Sequence, residues 1–290
     1  MIREIFRLSD GRNFEYLKNG QVQSHALILN SGTTQDITGW QTWLDYLAGK
    51  NIFALAIGRS GYAASSNKPG RITIDIANDI AELSTALGIK RFVNIGLSGG
   101  GQHAIATGLD PRSVGVVTIG SLAPYAEMGK EFFTGMQQAD IDEYADAITD
   151  IDLLIKRFKS WQDKDLSESI AGDQLSANDL VASSSPTWQS LIQSCEFTMS
   201  QGWDWVADDY SSYLKPWGFD PRDLRVPVII WHGGLDKNVP KQHGSWLAKN
   251  IPNARFELRE DESHLGIFVN YEREIMESAI DLLKKSINSK

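Results

Sequence analysis

Residues 92–100 read Phe92-Val93-Asn94-Ile95-Gly96-Leu97-Ser98-Gly99-Gly100, and this stretch decides the fold. A short apolar run ends at a glycine, a serine stands two positions on, and small residues open a helix-like segment, 99–109. Runs of this length bounded by Gly read as buried strands. A strand that turns straight into a helix forces the central residue of the turn into a strained conformation. Strand and helix then approach so closely that the residues two before and two after it must be small. Here they are Gly96 and Gly100. In a chain with 25 glycines, G-x-S-x-G is weak by itself. Its place between an apolar strand and a helix gives it weight. Ser98 is therefore a candidate nucleophile at the carboxyl edge of a sheet, beside a helix N-terminus that favours negative charge.

Working outward, strands alternate with helices. Residues 23–30 and 52–57 are apolar runs that stop at Asn-Ser-Gly and at Gly58, with helical spacing through Ile37, Trp40, Trp43, Leu44 and Leu47 between them. An amphipathic helix follows over 74–87, then the strand 91–96, the helix 99–109 and the strand 113–119. The alternation resumes with a strand at 226–231, a helix near 242–250, a strand at 254–259 and a final helix over 271–287. Residues 2–8 and 13–17 read as short strands at an antiparallel edge. The whole predicts an α/β domain whose mostly parallel sheet is covered on both faces. Between residues 121 and 225 only helical stretches are legible, around 141–158 and 187–199.

Composition marks the same interruption. Residues 121–225 hold 19 acidic and 8 basic side chains, a net of −11, whereas the rest of the chain nets +2. Five of the nine tryptophans lie there too: Trp161, Trp188, Trp203, Trp205 and Trp217. The segment reads as a helical insertion into a domain built from 1–120 and 226–290. The total of 290 residues suffices for a full core without staples, and the single Cys195 excludes a disulfide framework or thiolate metal cluster. The charged start does not read as a signal peptide, and no apolar run approaches the roughly 18 residues of a membrane span. A soluble, cytoplasmic protein is expected. A net charge of −9 argues against a nucleic-acid partner. Nothing in the residues bears on oligomeric state.

A serine hydroxyl needs a base, and the base needs an orienting acid. Of five histidines, His25 begins a strand far upstream and His103 lies on the helix that follows Ser98. His232 directly follows a strand, where it either lines the site or caps the sheet, and His243 lies in an expected surface helix. His264, in the polar loop Asp261-Glu262-Ser263-His264-Leu265-Gly266 after the last strand, is the candidate base. Asp236 stands just beyond a strand end in Trp231-His232-Gly233-Gly234-Leu235-Asp236 and is the candidate acid. Asp261 and Glu262 are too close to His264 in sequence to face its ring, and read as a solvated loop face. Two backbone donors are needed for an oxyanion. The N–H groups of Gly99 and Thr33, the latter in Asn30-Ser31-Gly32-Thr33-Thr34, are the candidates.

These residues resemble the α/β-hydrolase superfamily over nearly the whole chain. The matching elements are Gly96–Gly100, Asp236, His264 and the loop Arg59-Ser60-Gly61-Tyr62, in the family's order. The sequence departs from the pattern where Asn30-Ser31-Gly32 replaces a histidine-glycine pair, where Ser60 replaces proline and where Ser263 replaces glycine. The resemblance implies the α/β-hydrolase fold, a mostly parallel eight-stranded sheet flanked by helices, with 121–225 as a helical cap over the active site.

The expected activity is hydrolysis of small carboxylic esters or lactones through an acyl-enzyme on Ser98, with a neutral or cationic substrate. Phe197, Trp203 and Trp205 are candidate substrate-binding residues. One alternative is an aminopeptidase of the proline-iminopeptidase type, whose acidic cap residues hold a free amine; its members carry tryptophan where this chain has Gly99. Another is a ligand receptor on the same fold with little turnover. Gly99-x-Gly101-x-x-Ala104 nominally fits a dinucleotide fingerprint, but the next strand ends Thr118-Ile119-Gly120-Ser121 without the required acid. No cofactor or metal is implied.

Overall fold

The computed structural model describes residues 2–160 and 176–288, so Trp161 lies outside the described residues. Eight strands form one sheet: β1 (Ile2–Arg7), β2 (Asn13–Lys18), β3 (His25–Asn30), β4 (Ala54–Ile57), β5 (Arg91–Leu97), β6 (Ser113–Ile119), β7 (Val228–Gly233) and β8 (Ala254–Arg259). Their order is β1-β2-β4-β3-β5-β6-β7-β8. The first two pairings are antiparallel and the other five parallel. The mostly parallel sheet with an antiparallel edge is as the strand pattern predicted.

The inner strands β3 to β7 are buried on both faces, which is why they read as continuous apolar runs, whereas the edge strands β1 and β8 are part-exposed and mix apolar with charged residues. Side chains still segregate with period two. Leu27 and Leu29 of β3 join Val93, Ile95 and Leu97 of β5 in one core cluster, while Ala26 and Ile28 join Phe92 in another.

Three helices follow strands in the first half, α1 (Gln41–Gly49), α2 (Asp75–Ala86) and α3 (Gly99–Thr107). Six described helices lie between β6 and β7: α4 (Tyr125–Met128), α5 (Gln138–Thr149), α6 (Ile151–Lys159), α7 (Ala177–Ala182), α8 (Pro186–Ser200) and α9 (Asp204–Leu214). The chain ends with α10 (Lys241–Asn250), α11 (His264–Asn270) and α12 (Glu272–Asn288). The expected stretch 141–158 is two helices. Asp150 interrupts it in an extended conformation (φ −166°), and its side chain accepts from the Asp152 N–H to start α6. Among the described residues, no helix is long and apolar enough to cross a membrane.

Strand register fixes what lies at the carboxyl edge. Asn30 pairs with Ile57 and Gly96, Leu97 with Ile119, Ile119 with Trp231, and Gly233 with Arg259. Residues 31–36, 58–62, 98, 120–121, 234–239 and 260–264 therefore all leave the same edge of the sheet. Ligands of open α/β sheets bind at that edge.

Candidate active site

Ser98 stands between β5 and α3 with φ 52° and ψ −125°, a conformation few residues other than glycine adopt. Its N–H donates to the Ile119 carbonyl at 2.7 Å, and its own carbonyl accepts from Gly101 at 2.9 Å. The turn is as crowded as the sequence implied. A Cβ on Gly96 would overlap the Gly100 carbonyl and lie 2.6 Å from the Gly101 Cα. One on Gly100 would overlap the carbonyl oxygens of Asn30 and Ser31. Packing on every side over-determines the strained conformation.

His264 and Asp236 meet at the end of β6. The His264 Nδ1 lies 2.7 Å from the Asp236 Oδ2. An ionised carboxylate only accepts, so the shared proton sits on Nδ1 and leaves Nε2 with its lone pair. The other carboxylate oxygen accepts from the N–H groups of Asn238 at 3.0 Å and Val239 at 2.8 Å, which fixes the plane of the acid. A Cβ on Gly120, the residue after the Ile119 that receives the Ser98 N–H, would lie 3.0 Å from His264 Nδ1 and 3.2 Å from Asp236 Oδ2. Nucleophile, base and acid candidates thus gather around Ile119 and Gly120. Burial pulls the His264 pKa down, but the Asp236 carboxylate, aided by Asp140 and Asp179, outweighs it, and the net shift is upward.

His264 does not lie in a loop. It opens α11, capped by Ser263, whose side chain accepts from the Gly266 N–H at 3.0 Å. The helix is pinned by Phe268, which stacks on Trp43 with ring centroids 5.0 Å apart. Loop 31–34 reaches the same place: a Cβ on Gly99 would overlap the Thr33 Oγ1 and the Tyr213 Oη, and one on Gly32 would lie 3.3 Å from the Ser98 Cβ.

This strand order, with a strained Ser98 at the tip of β5 and His264 paired to Asp236, agrees with sequence-family comparison, in which an alpha/beta hydrolase fold model matches residues 25–271. The chain belongs to the alpha/beta hydrolase fold family. No curated protein matches it in sequence. Among solved structures, an esterase from Thermogutta terrifontis is similar at 17% identity and a TM-score of 0.69, covering 98% of this chain and 100% of that one. An enol-lactonase from Burkholderia xenovorans LB400 aligns at 17% identity and 0.69 over 97% and 100%. A bromoperoxidase from Bacillus anthracis aligns at 20% and 0.71 over 98% and 100%. At such identities the likeness is one of fold.

The other histidines of this alpha/beta hydrolase are structural. His243 was expected on a surface helix; it is fully buried, accepting from the Ala123 N–H at 3.1 Å through Nδ1 and donating to the Phe132 carbonyl at 2.8 Å. Burial lowers its pKa to about 4 and keeps it neutral. His232 bonds the Val239 carbonyl at 2.7 Å and lies 3.6 Å from Asp236, bracing the turn that carries the acid. His103 is buried beside Arg71, and His25 pairs with Ser24 at the far end of β3. Glu262, read as solvated, is 95% buried: Asn178 donates to one oxygen at 3.1 Å and Asn270 to the other at 2.9 Å. Asp261 is exposed, as expected.

Two carboxylates, Asp140 beside the pair and Glu143 next to Asp140, escaped the sequence reading. Asp140 of α5 accepts from Asn238, two residues past Asp236, at 3.0 Å. Glu143, one turn on, accepts from the Tyr210 hydroxyl at 2.5 Å. Burial, reinforced by Asp236, raises Asp140 to about 6, and burial with the Asp140 charge raises Glu143 to about 8. Of the aromatics expected to bind substrate, Trp203 and Trp205 lie in aromatic packing, on Phe158 and each other, and part-exposed Phe197 lies under the Arg3 guanidinium.

Proposed function

We propose that this protein is a serine hydrolase that cleaves small carboxylic esters or lactones through an acyl-enzyme on Ser98. The observation that carries the reading is the 2.7 Å pairing of His264 Nδ1 with Asp236 beside a serine held at φ 52°. Ser98 Oγ attacks the carbonyl while His264 Nε2 takes its proton. The imidazolium, stabilised by Asp236, then protonates the departing alcohol. Water attacks the acyl-enzyme with the same base, and Ser98 regains its proton. The N–H of Gly99 is one oxyanion donor and that of Thr33 the other. Thr33 is favoured because its neighbours are engaged elsewhere: the Gly32 N–H donates to Gln35 at 3.1 Å and the Thr34 N–H to the Tyr62 hydroxyl at 3.2 Å. Residues 121–225 act as a helical cap. Support comes from Tyr213, bonded to Thr33 at 2.7 Å, and from Asn178, bonded to the Asp261 carbonyl at 3.1 Å.

A fluorophosphonate tests the reading directly. Stoichiometric labelling of Ser98, abolished in Ser98→Ala, with turnover on a graded panel of acyl esters and lactones, is the expected result. A native protein that takes up no label at Ser98 overturns it. Turnover below about one per minute, against about 10 s⁻¹ for a typical enzyme, would favour a ligand-binding role instead. A second reading, an aminopeptidase, is favoured by Asp140 and Glu143, whose raised pKa values mark carboxylates that gain from a nearby cation. Faster turnover of prolyl-arylamides than of short acyl esters would select it.

A further inference from the structure

The loop that lacks the family's histidine-glycine pair is held by something else. Asp209 of α9 is fully buried and receives Arg59 Nη2 at 2.6 Å and Nε at 3.2 Å, the Tyr62 hydroxyl at 2.6 Å, the Tyr213 hydroxyl at 2.9 Å and Arg71 Nη2. Three of these four partners also bond the loop 31–34, one residue after another. Arg59 donates to the carbonyls of Ser31 and Gly32. The Tyr213 hydroxyl proton goes to Asp209, so Thr33 Oγ1 donates to Tyr213 Oη at 2.7 Å. The Tyr62 hydroxyl likewise donates to Asp209 and accepts the Thr34 N–H.

We propose that Asp209 is a positioning residue that sets the Thr33 amide for oxyanion binding, acting through Arg59, Tyr62 and Tyr213. The proposal rests on the reading of Thr33 as an oxyanion donor. Oxyanion donors work only when fixed at about 2.7–3.1 Å from the oxygen of the transition state. A loop of this kind has no ladder to hold it, and here four consecutive residues are tied to one carboxylate. That carboxylate arrives from a helix more than 170 residues downstream of the loop. The two guanidinium groups keep it ionised despite its burial, and an ionised carboxylate orients all four partners at once. A contact that merely docked α9 on the sheet would have no need to engage each loop residue in turn.

Tyr213→Phe removes one hydroxyl and leaves both guanidinium–carboxylate pairs in place. Its expected effects are a kcat about 10-fold lower on acyl esters, KM within twofold of wild type, slower phosphonylation of Ser98 and faster amide exchange over residues 31–35. Asp209→Asn, where it folds, lowers kcat by about 100-fold with the same split. In folded Tyr213→Phe, wild-type kcat and phosphonylation rate, or wild-type exchange of the loop, overturn the proposal. A wild-type protein that no Ser98 reagent labels overturns the acyl-enzyme reading instead, and amide exchange then still reports whether Tyr213 holds the loop.

Discussion

The Asp236 Oδ2 lies 2.7 Å from His264 Nδ1, while the second oxygen of the same carboxylate is occupied by two backbone N–H groups of its own turn. The acid therefore cannot rotate away from the imidazole without giving up both. Asp236→Asn presents an amide that cannot accept from Nδ1–H with the same charge. It favours the tautomer whose proton faces Ser98. Ester turnover should fall by about 10⁴ with KM little changed, measured against active sites titrated by phosphonate.

The upward shift of His264 sets the acid limb of the rate profile. Protonated His264 cannot take the Ser98 proton, so kcat/KM falls as pH drops through a pKa above the usual value of about 6.5. Asp236→Asn moves that limb to lower pH. The sign for stability is the opposite one. A histidine whose folded pKa is raised contributes stability present in full below about pH 6.5 and lost as pH rises through the folded value. A rate limb at or below 6.5 in the wild-type enzyme would contradict the Asp236 coupling.

Glu143 and Asp140 make a second pH-dependent contribution. Both carboxyls are raised, so the folded protein binds protons that the unfolded chain releases, and stability falls as pH climbs through about 6 and about 8. Glu143→Gln keeps a neutral acceptor for Tyr210 and removes the upper part of this fall. Its midpoint of urea unfolding should exceed that of wild type at pH 9 and converge on it at pH 4, below the unfolded glutamate value.

Strain at Ser98 is separable from its chemistry. Ser98→Ala and Ser98→Gly both abolish labelling, yet only glycine adopts φ 52° without cost. The glycine variant should be more stable than the alanine variant by about 1–3 kcal/mol, read from urea midpoints at equal m. Equal midpoints would mean that the turn carries no strain.

The acidity of residues 121–225 should be felt by substrates. An anionic acyl ester is expected to show a lower kcat/KM than its neutral isostere at low salt, the gap closing as the Debye length shrinks toward about 3 Å at 1 M salt. Equal turnover of the two at low salt would mean that the charge of this segment does not reach the substrate.

Ser98 was legible because its turn is local: Gly96 and Gly100 must be small, and spacing displays that directly. The inner strands β3 to β7 were legible as short apolar runs, and the edge strands only from the alternation around them. The N-terminus of α11 was not, although Ser263 three residues before Gly266 is a capping signal, because the acid-rich loop masked it. Asp209 escaped for a different reason. It is an aspartate among acidic neighbours, and composition assigns such residues to solvent. The signal lay in its spacing, since Trp205, Asp209 and Tyr213 recur every four residues on one buried face of α9. A charge on an apolar stripe calls for a buried counter-charge, which here comes from Arg59 and Arg71.

Because β6 and β7 are hydrogen-bonded neighbours, everything between them can in topology be exchanged for another insert without altering the register of the sheet. Arg59 and Arg71 forbid a free exchange. A transplanted insert without an acid at the place of Asp209 would bury two guanidinium groups with no counter-ion, at a cost of several kcal/mol. Inheritance of a new insert therefore requires the three residues to travel together, and the loops at 59 and 71 carry the record of which insert this sheet accepts.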